Sequence, residues 1–294
     1  PEEVDIVHAE DSFGMDEAPT LALRRPNCSI MRGLDLVSAG DAHGFVSMGN
    51  TGAVVASALV KLGRIENIDR PALMTLFPTL KGHPVLVLDV GANVDCRPEH
   101  LLRFAQMGSL YASEVLDREK PKISLLSIGH EPSKGNAAVK SAHELISETG
   151  LNFVGNIEGQ EVMSGDVDVI VTDGFVGNIL LKFGEGSMGF FKTIAKKGRR
   201  KNIFSLAGGL LMRGGLKQVL KEFDYAEYGG APLLGVQGNI IVGHGKSSPE
   251  AIANALHLAS IMAATRIDRR IAEFVSAERG SIEKQNLRNG VEPS

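Results

Sequence analysis

The chain has 294 residues, 43% of them hydrophobic and 22% charged, with a formal net charge of -4. That balance excludes wholesale disorder, and the acidity argues against nucleic acid as a partner. Two cysteines, Cys28 and Cys96, exclude a disulfide framework or a four-cysteine zinc site, and no run approaches the ~20 apolar residues of a membrane span. A reducing, cytoplasmic setting is the expectation. The chain starts at Pro1 without Met and enters a strand-like stretch, Val4 to His8, so an upstream segment is expected to be missing. A unit then recurs: a β-branched apolar run, a cluster rich in Gly, Asn, Asp or Ser, and a helical period. The first is strand 44–48, cluster Gly49-Asn50-Thr51-Gly52 and helix 53–62. The second is strand 84–90, cluster 91–95 and a helix from about Pro98 to Leu116. A third runs through strand 122–128, cluster 129–136 and helix 137–148. Strand 152–157 precedes a short helical piece, and strand 167–172 precedes cluster 173–178 and a helix. The last unit is strand 239–242, cluster 243–248 and helix 249–273.

Residues 190–223 break this pattern. They hold nine Lys or Arg residues and no acidic residue before Glu222, with apolar residues interleaved at helical spacing. This predicts a basic amphipathic helical excursion from one α/β domain spanning 1–275. A polar, frayed tail is expected over 276–294. Continuous apolar strands alternating with helices predict an α/β fold with a mostly parallel sheet and helices on both faces. Ligands in such folds bind at the carboxyl ends of the strands. All the polar clusters fall at that edge.

Common motifs fail. Gly184 to Gly189 matches G-x-G-x-x-G, but it lies about a dozen residues past its strand, inside a helical period. Gly245-Lys246-Ser247 lacks the first glycine of a P-loop, and no G-x-S-x-G is present. The eight histidines show no H-x-x-x-H spacing, so neither metal nor cofactor is expected.

The polar edge supplies donors. Ser47, Gly49, Asn50, Thr51 and Gly52 place backbone N–H groups and a hydroxyl at a helix start, which suits phosphate. Asn93, Asn136 and Asn178 offer amides, and Lys134 and Lys182 offer positive charge. His244 and Ser247 close the last unit, Ser247 with Glu250 fitting a capping box around Pro249. Asp89 and Asp173 end two buried strands, where they either orient a partner or exchange protons, or else accept turn N–H bonds. Such an inventory is rich in oxyanion donors and poor in activated nucleophiles. It suits a reaction whose nucleophile is itself an anion, such as inorganic phosphate attacking a thioester.

Several ordered motifs resemble one family. They are residues 46–53, Gly63-Arg64-Ile65 with 68–72, 88–95 with 98–101, Lys134-Gly135-Asn136, 152–158, 172–178, 228–233 and His244-Gly245. Together they resemble the bacterial phosphate acyltransferases, which make acyl phosphate from acyl-acyl carrier protein and inorganic phosphate in phospholipid synthesis. The resemblance implies a fold similar to the isocitrate/isopropylmalate dehydrogenases and to phosphate acetyltransferase. It also implies a homodimer that is cytoplasmic and peripherally membrane-associated. Its catalytic candidates are Asp89, Asn93, Lys134, Asn136, Asp173, Asn178 and His244. Membrane or carrier-protein contact falls to Lys196, Lys197, Arg199, Arg200, Lys201, Leu206, Leu210, Leu211, Arg213 and Lys217. The family usually opens with a strand and a Gly/Asp-rich loop that this sequence lacks, and usually has an acidic residue where His130 stands. An isocitrate-type dehydrogenase and a non-catalytic membrane scaffold are the alternatives.

Overall fold

The computed structural model describes residues 4–198 and 229–288. Among them the chain groups into two compact units, where the sequence reads as one domain. The first takes residues 4–71, 231–247 and 255–288, and the second takes 72–198, 229–230 and 248–254.

The first unit begins with a 3-10 turn, Pro19–Arg24, and helix α1, Ser29–Ala39. Strand β1, Gly44–Ser47, leads into α2, Thr51–Lys61. Strands β7, Ala231–Leu234, and β8, Asn239–Val242, complete a three-stranded sheet. In it β8 is central, parallel to β1 and antiparallel to β7. Gly235 and Gly238, both at positive φ, let the chain reverse between β7 and β8.

The second unit holds β2, Ala72–Phe77; β3, Val85–Leu88; β4, Ile123–Ser127; β5, Phe153–Glu158; and β6, Val169–Val171. Their order is β2-β3-β6-β4-β5, parallel throughout except that β2 runs against β3. Every residue of β2, β3 and β6 is buried, as an apolar run sandwiched on both faces must be. Helices α3, Pro98–Val115; α4, Ala137–Ser147; and α5, Gly174–Gly198, belong here. The buried side of α3 carries Leu101, Phe104, Met107 and Tyr111. Helix α6, Pro249–Thr265, starts in the second unit and continues in the first, where α7, Ile267–Arg288, follows.

The fold is thus α/β with mostly parallel strands. Several expectations need correction. Val4 to His8 forms no strand, and Val4 and Ile6 are 83% and 93% exposed, because nothing among the described residues pairs with this stretch. The long last helix is two helices, broken where Arg266 takes a left-handed φ of 51°. The second of them runs on to Arg288 through the stretch read as a frayed tail. Strands β2 and β7 were not anticipated. Of the basic excursion, Lys196 and Lys197 fall within the last turn of α5. Arg199, Arg200, Lys201, Leu206, Leu210, Leu211, Arg213 and Lys217 lie outside the described residues.

Candidate active site

In the first unit the site is built at the carboxyl ends of β1 and β8. These strands are parallel neighbours, so their following loops emerge together, and Gly243 N–H bonds Ser47 O at 2.8 Å. The Ser47 hydroxyl accepts the Gly49 N–H at 3.2 Å and so closes the turn. Asn50 caps α2: its Oδ1 accepts the Ala53 N–H at 3.1 Å and its carbonyl accepts that of Val54. The remaining N–H groups of the first turn, on Thr51 and Gly52, point out of the helix end. Thr51 is exposed beside them.

The Asn50 side chain is committed elsewhere. Its Nδ2 donates to Met15 O at 3.0 Å and Glu17 O at 3.1 Å, lashing the 13–19 segment across the start of α2. Pro19 lies so close to Gly52 that a Cβ there would sit 2.6 Å from its Cγ. Glu17 braces the segment by accepting the Gly14 N–H and pairing with Arg25 at 2.6 Å. The Gly14 bond, then the Arg25 guanidinium, hold the Glu17 carboxyl below the ordinary glutamate range. Exposed His244 accepts the Lys246 N–H on Nδ1 at 3.1 Å, which leaves the proton of the neutral ring on Nε2.

In the second unit the centre is Asp89, fully buried just past β3. Its Oδ1 accepts N–H groups from Leu73, Gly91 and Ala92. Its Oδ2 accepts from the Asn93 N–H at 2.7 Å and the Asn93 Nδ2 at 2.8 Å. Burial pushes this carboxyl up from the ordinary aspartate range, and the bonds from Ala92, Asn93 and Gly91 pull it back. Every one of these partners donates, so the arrangement is made for a carboxylate. Asp89 therefore organises the β2 end and the 91–93 turn, and Asn93 is bound into that same knot.

Asp173 caps α5, accepting the Val176 N–H at 2.8 Å. Gly174 N–H bonds Asn93 O at 2.7 Å, so α5 begins on top of the Asp89 turn. Only glycine fits there: a Cβ on Gly174 would lie 2.6 Å from Asn93 O, and one on Gly177 would lie 1.8 Å from Asp89 O. This close seat brings the exposed Asn178 beside Gly91. On β4, two strands from β3, the following loop carries exposed Lys134 and the α4 cap Asn136, whose Oδ1 accepts the Val139 N–H. Lys182 pairs with Glu185 along α5 at 2.9 Å.

Asp89, Asn93, Asp173 and Asn178 thus form one cluster, with Lys134 and Asn136 on the loop after β4. Ser47, Gly49, Asn50, Thr51, Gly52 and His244 form another cluster, within the first unit. The α6 cap is Ser248, whose Oγ accepts the Ala251 N–H, and not Ser247: Pro249 takes the first helical position, so the residue before it must cap. Sequence reasoning missed the spacing role of Gly174 and Gly177, although two small residues three apart at a helix start are a readable signal. It also missed the 13–19 segment, for which no local signal exists. Among the described residues no group of His, Cys, Asp or Glu could hold a metal ion, and no helix is long and apolar enough to cross a membrane.

A family profile described as "Fatty acid synthesis protein" matches residues 1–270. The chain is 46% identical over 274 residues to a phosphate acyltransferase of a Nitratiruptor species, covering 92% of this chain and 82% of that one. It is 49% identical over 257 residues to a phosphate acyltransferase of Moorella thermoacetica, covering 87% and 76%. Among solved structures, a phosphotransacetylase from Streptococcus pyogenes is similar with a TM-score of 0.56 at 19% identity, covering 79% of this chain and 66% of that one. A branched-chain phosphotransacylase from Enterococcus faecalis gives 0.54 at 15%, covering 80% and 78%. At these identities the structural likeness concerns the fold alone.

Proposed function

The chain belongs to the phosphate acyltransferase family, and from that premise we propose that it moves an acyl group from acyl-acyl carrier protein to inorganic phosphate, giving acyl phosphate for phospholipid synthesis. A phosphate oxygen attacks the thioester carbonyl, a C–O bond forms, and the C–S bond breaks to release the carrier thiol. Phosphate supplies the nucleophile, so the protein's task is to hold it and to donate to the developing oxyanion.

The observation that carries this reading is the start of α2. Thr51 is exposed there, the Thr51 and Gly52 N–H groups have no partner among the described residues, and the Asn50 side chain is already used for the cap and the tether. We assign phosphate to Thr51 and Gly52, with Ser47, Gly49 and Asn50 shaping the turn. His244 offers its Nε2–H. In the second unit Lys134, Asn136 and Asn178 are the thioester-side donors, while Asp89, Asn93 and Asp173 set their frame. Thr51→Ala removes one hydrogen bond to a charged group, worth about 1.5 kcal/mol, so the phosphate KM should rise roughly tenfold. The KM for acyl-carrier protein should hold. An unchanged phosphate KM would remove the assignment.

Carrier protein as donor, a homodimer, and peripheral attachment to the membrane from the cytoplasmic side remain part of this proposal. So does the closer likeness to the isocitrate/isopropylmalate dehydrogenase fold. The basic, apolar-interleaved composition of 190–223 supports a meeting with anionic lipid or with an acidic carrier. Liposome sedimentation of the full chain against one lacking this stretch, at low and high salt, tests the lipid branch: binding indifferent to both would end it.

A further inference from the structure

The loop that carries Lys134 and Asn136 is fastened by a side chain that the proposed chemistry does not use. His130 bridges two elements. Its Nδ1 lies 3.2 Å from Asn156 O on β5, and its Nε2 lies 3.2 Å from Glu161 Oε2 in the 3-10 turn Gly159–Glu161. The same loop is held a second time where the Asn156 Nδ2 donates to Glu131 O at 2.9 Å. Inside the loop, Lys134 N–H bonds Glu131 O, and the Lys134 stem folds over Gly129. The loop therefore reaches β5 and its turn through these contacts, and Lys134 is four residues from the bridging ring.

A backbone carbonyl and a carboxylate only accept hydrogen bonds. Both ring nitrogens of His130 face such acceptors, so both must carry a proton for the bridge to be whole. A neutral ring keeps one link and turns a lone pair toward the other acceptor. Glu161 is the charged group that meets the ring; Glu158 ends β5 before that turn, and Glu131 and Lys134 belong to the loop itself. From α4, His143 packs on Phe153 and near Gly155. The ring is 60% exposed and the Glu161 side chain 35% exposed, so water reaches the pair and protons exchange freely.

We propose that His130 is a positioning residue, a protonated clasp that ties the 129–136 loop to β5 and its turn and so holds Lys134 and Asn136 in working position. The proposal rests on the reading of that loop as part of the site. Both links hold only while both ring nitrogens carry a proton, and a neutral ring keeps one.

The experiment measures kcat/KM for acyl phosphate formation from acyl-carrier protein and inorganic phosphate, from about pH 5 to 8.5. His130→Phe, which cannot bridge, and His130→Arg, which bridges at every pH, are run beside the unaltered protein. Dividing by the Phe variant cancels the titration of phosphate itself. The wild-type ratio should be roughly threefold at the acid end and fall at the alkaline end to the smaller advantage of the one link a neutral ring keeps, as expected for an exposed pair. The Arg variant should keep its advantage throughout. A purely structural role would lower all activities without this fall. Glu161→Gln, which keeps an acceptor for the Glu158 N–H, should lose the same pH-dependent advantage, and it carries the comparison if the Phe variant does not fold. A Phe or Gln variant whose profile parallels that of the wild type overturns the clasp. Lys134→Ala separates the two ideas. If it leaves activity intact, the reading of the loop fails. If it abolishes activity while His130→Phe tracks the wild type, only the clasp fails.

Discussion

Two glycines of the same helix should respond to alanine in opposite directions. Gly177, in the first turn of α5, faces the carbonyl of Asp89, and a Cβ there would sit 1.8 Å from that oxygen. An ordinary contact begins near 3.4 Å, so the helix start and the end of β3 must separate by roughly 1.5 Å. No rotamer change relieves this, because the obstacle is backbone. Overpacking of this kind costs up to about 3 kcal/mol or more, and the better helix propensity of alanine returns about 1. The net loss is about 2 kcal/mol or more, a fall in Tm of about 5 °C. Gly186 lies further along α5, is exposed, and has nothing within 4 Å of its missing Cβ. Gly186→Ala should therefore gain up to about 1 kcal/mol. Thermal melts of the two variants by circular dichroism give the answer. The Gly177 variant should also lose activity, since Asn178 would be displaced from Gly91. Equal melting temperatures for the two would refute the claim that α5 is seated by backbone contact.

Asp89→Asn replaces two acceptor oxygens with one, facing N–H groups from Leu73, Gly91, Ala92 and Asn93. At least one buried donor is left unbonded and an Asn93 partner becomes repulsive, so urea unfolding should show a loss of about 3 kcal/mol; a loss under about 1 would sink the organising role. Tyr111 is fully buried and its hydroxyl has no partner among the described residues, while burial pushes its phenol far up. Tyr111→Phe should raise stability by about 1 kcal/mol, and a destabilised variant would contradict an unsatisfied hydroxyl. The Asp166 carboxyl is held below its ordinary range first by its bond to Lys81, with Ser164 helping. A carboxyl lowered by folding stabilises the native state above its unfolded pKa and loses that contribution as pH falls through the folded one. Lys81→Met should therefore narrow the gap between neutral and acid stability, and a gap unchanged from the wild type would exclude the effect.

The parallel strands and the polar edge were legible because a buried strand must be apolar and its exit must be polar. Strand β2 escaped because no polar turn and helix follow Phe77; the chain instead doubles back within a few residues to β3. Strand β7 escaped for the same reason, since it returns at once into β8. The site was legible in its positions and less so in its roles. Asn50, Asn136 and Asp173 stand where a strand gives way to a helix, and there an oxygen that accepts the third N–H looks, in sequence, the same as one that meets a ligand. Nothing near Asn50 announces that its amide reaches Met15, and nothing near His130 announces Glu161. Such partners are set by the fold over long stretches of chain, where residue type and spacing carry no information.

The pairing of β1 with β8 has a consequence for how the molecule is made. Ser47 finds its strand partner at Val242, roughly two hundred residues further along, so the first unit cannot close while the ribosome is still working through the middle of the message. At roughly 5–20 residues added per second that delay is about ten to forty seconds. Throughout it β1 has no strand partner, whereas the five strands of the second unit emerge as one uninterrupted stretch. Nascent chains stalled before residue 239 should therefore expose the opening segment to holding chaperones, and release should follow once the late strand is delivered.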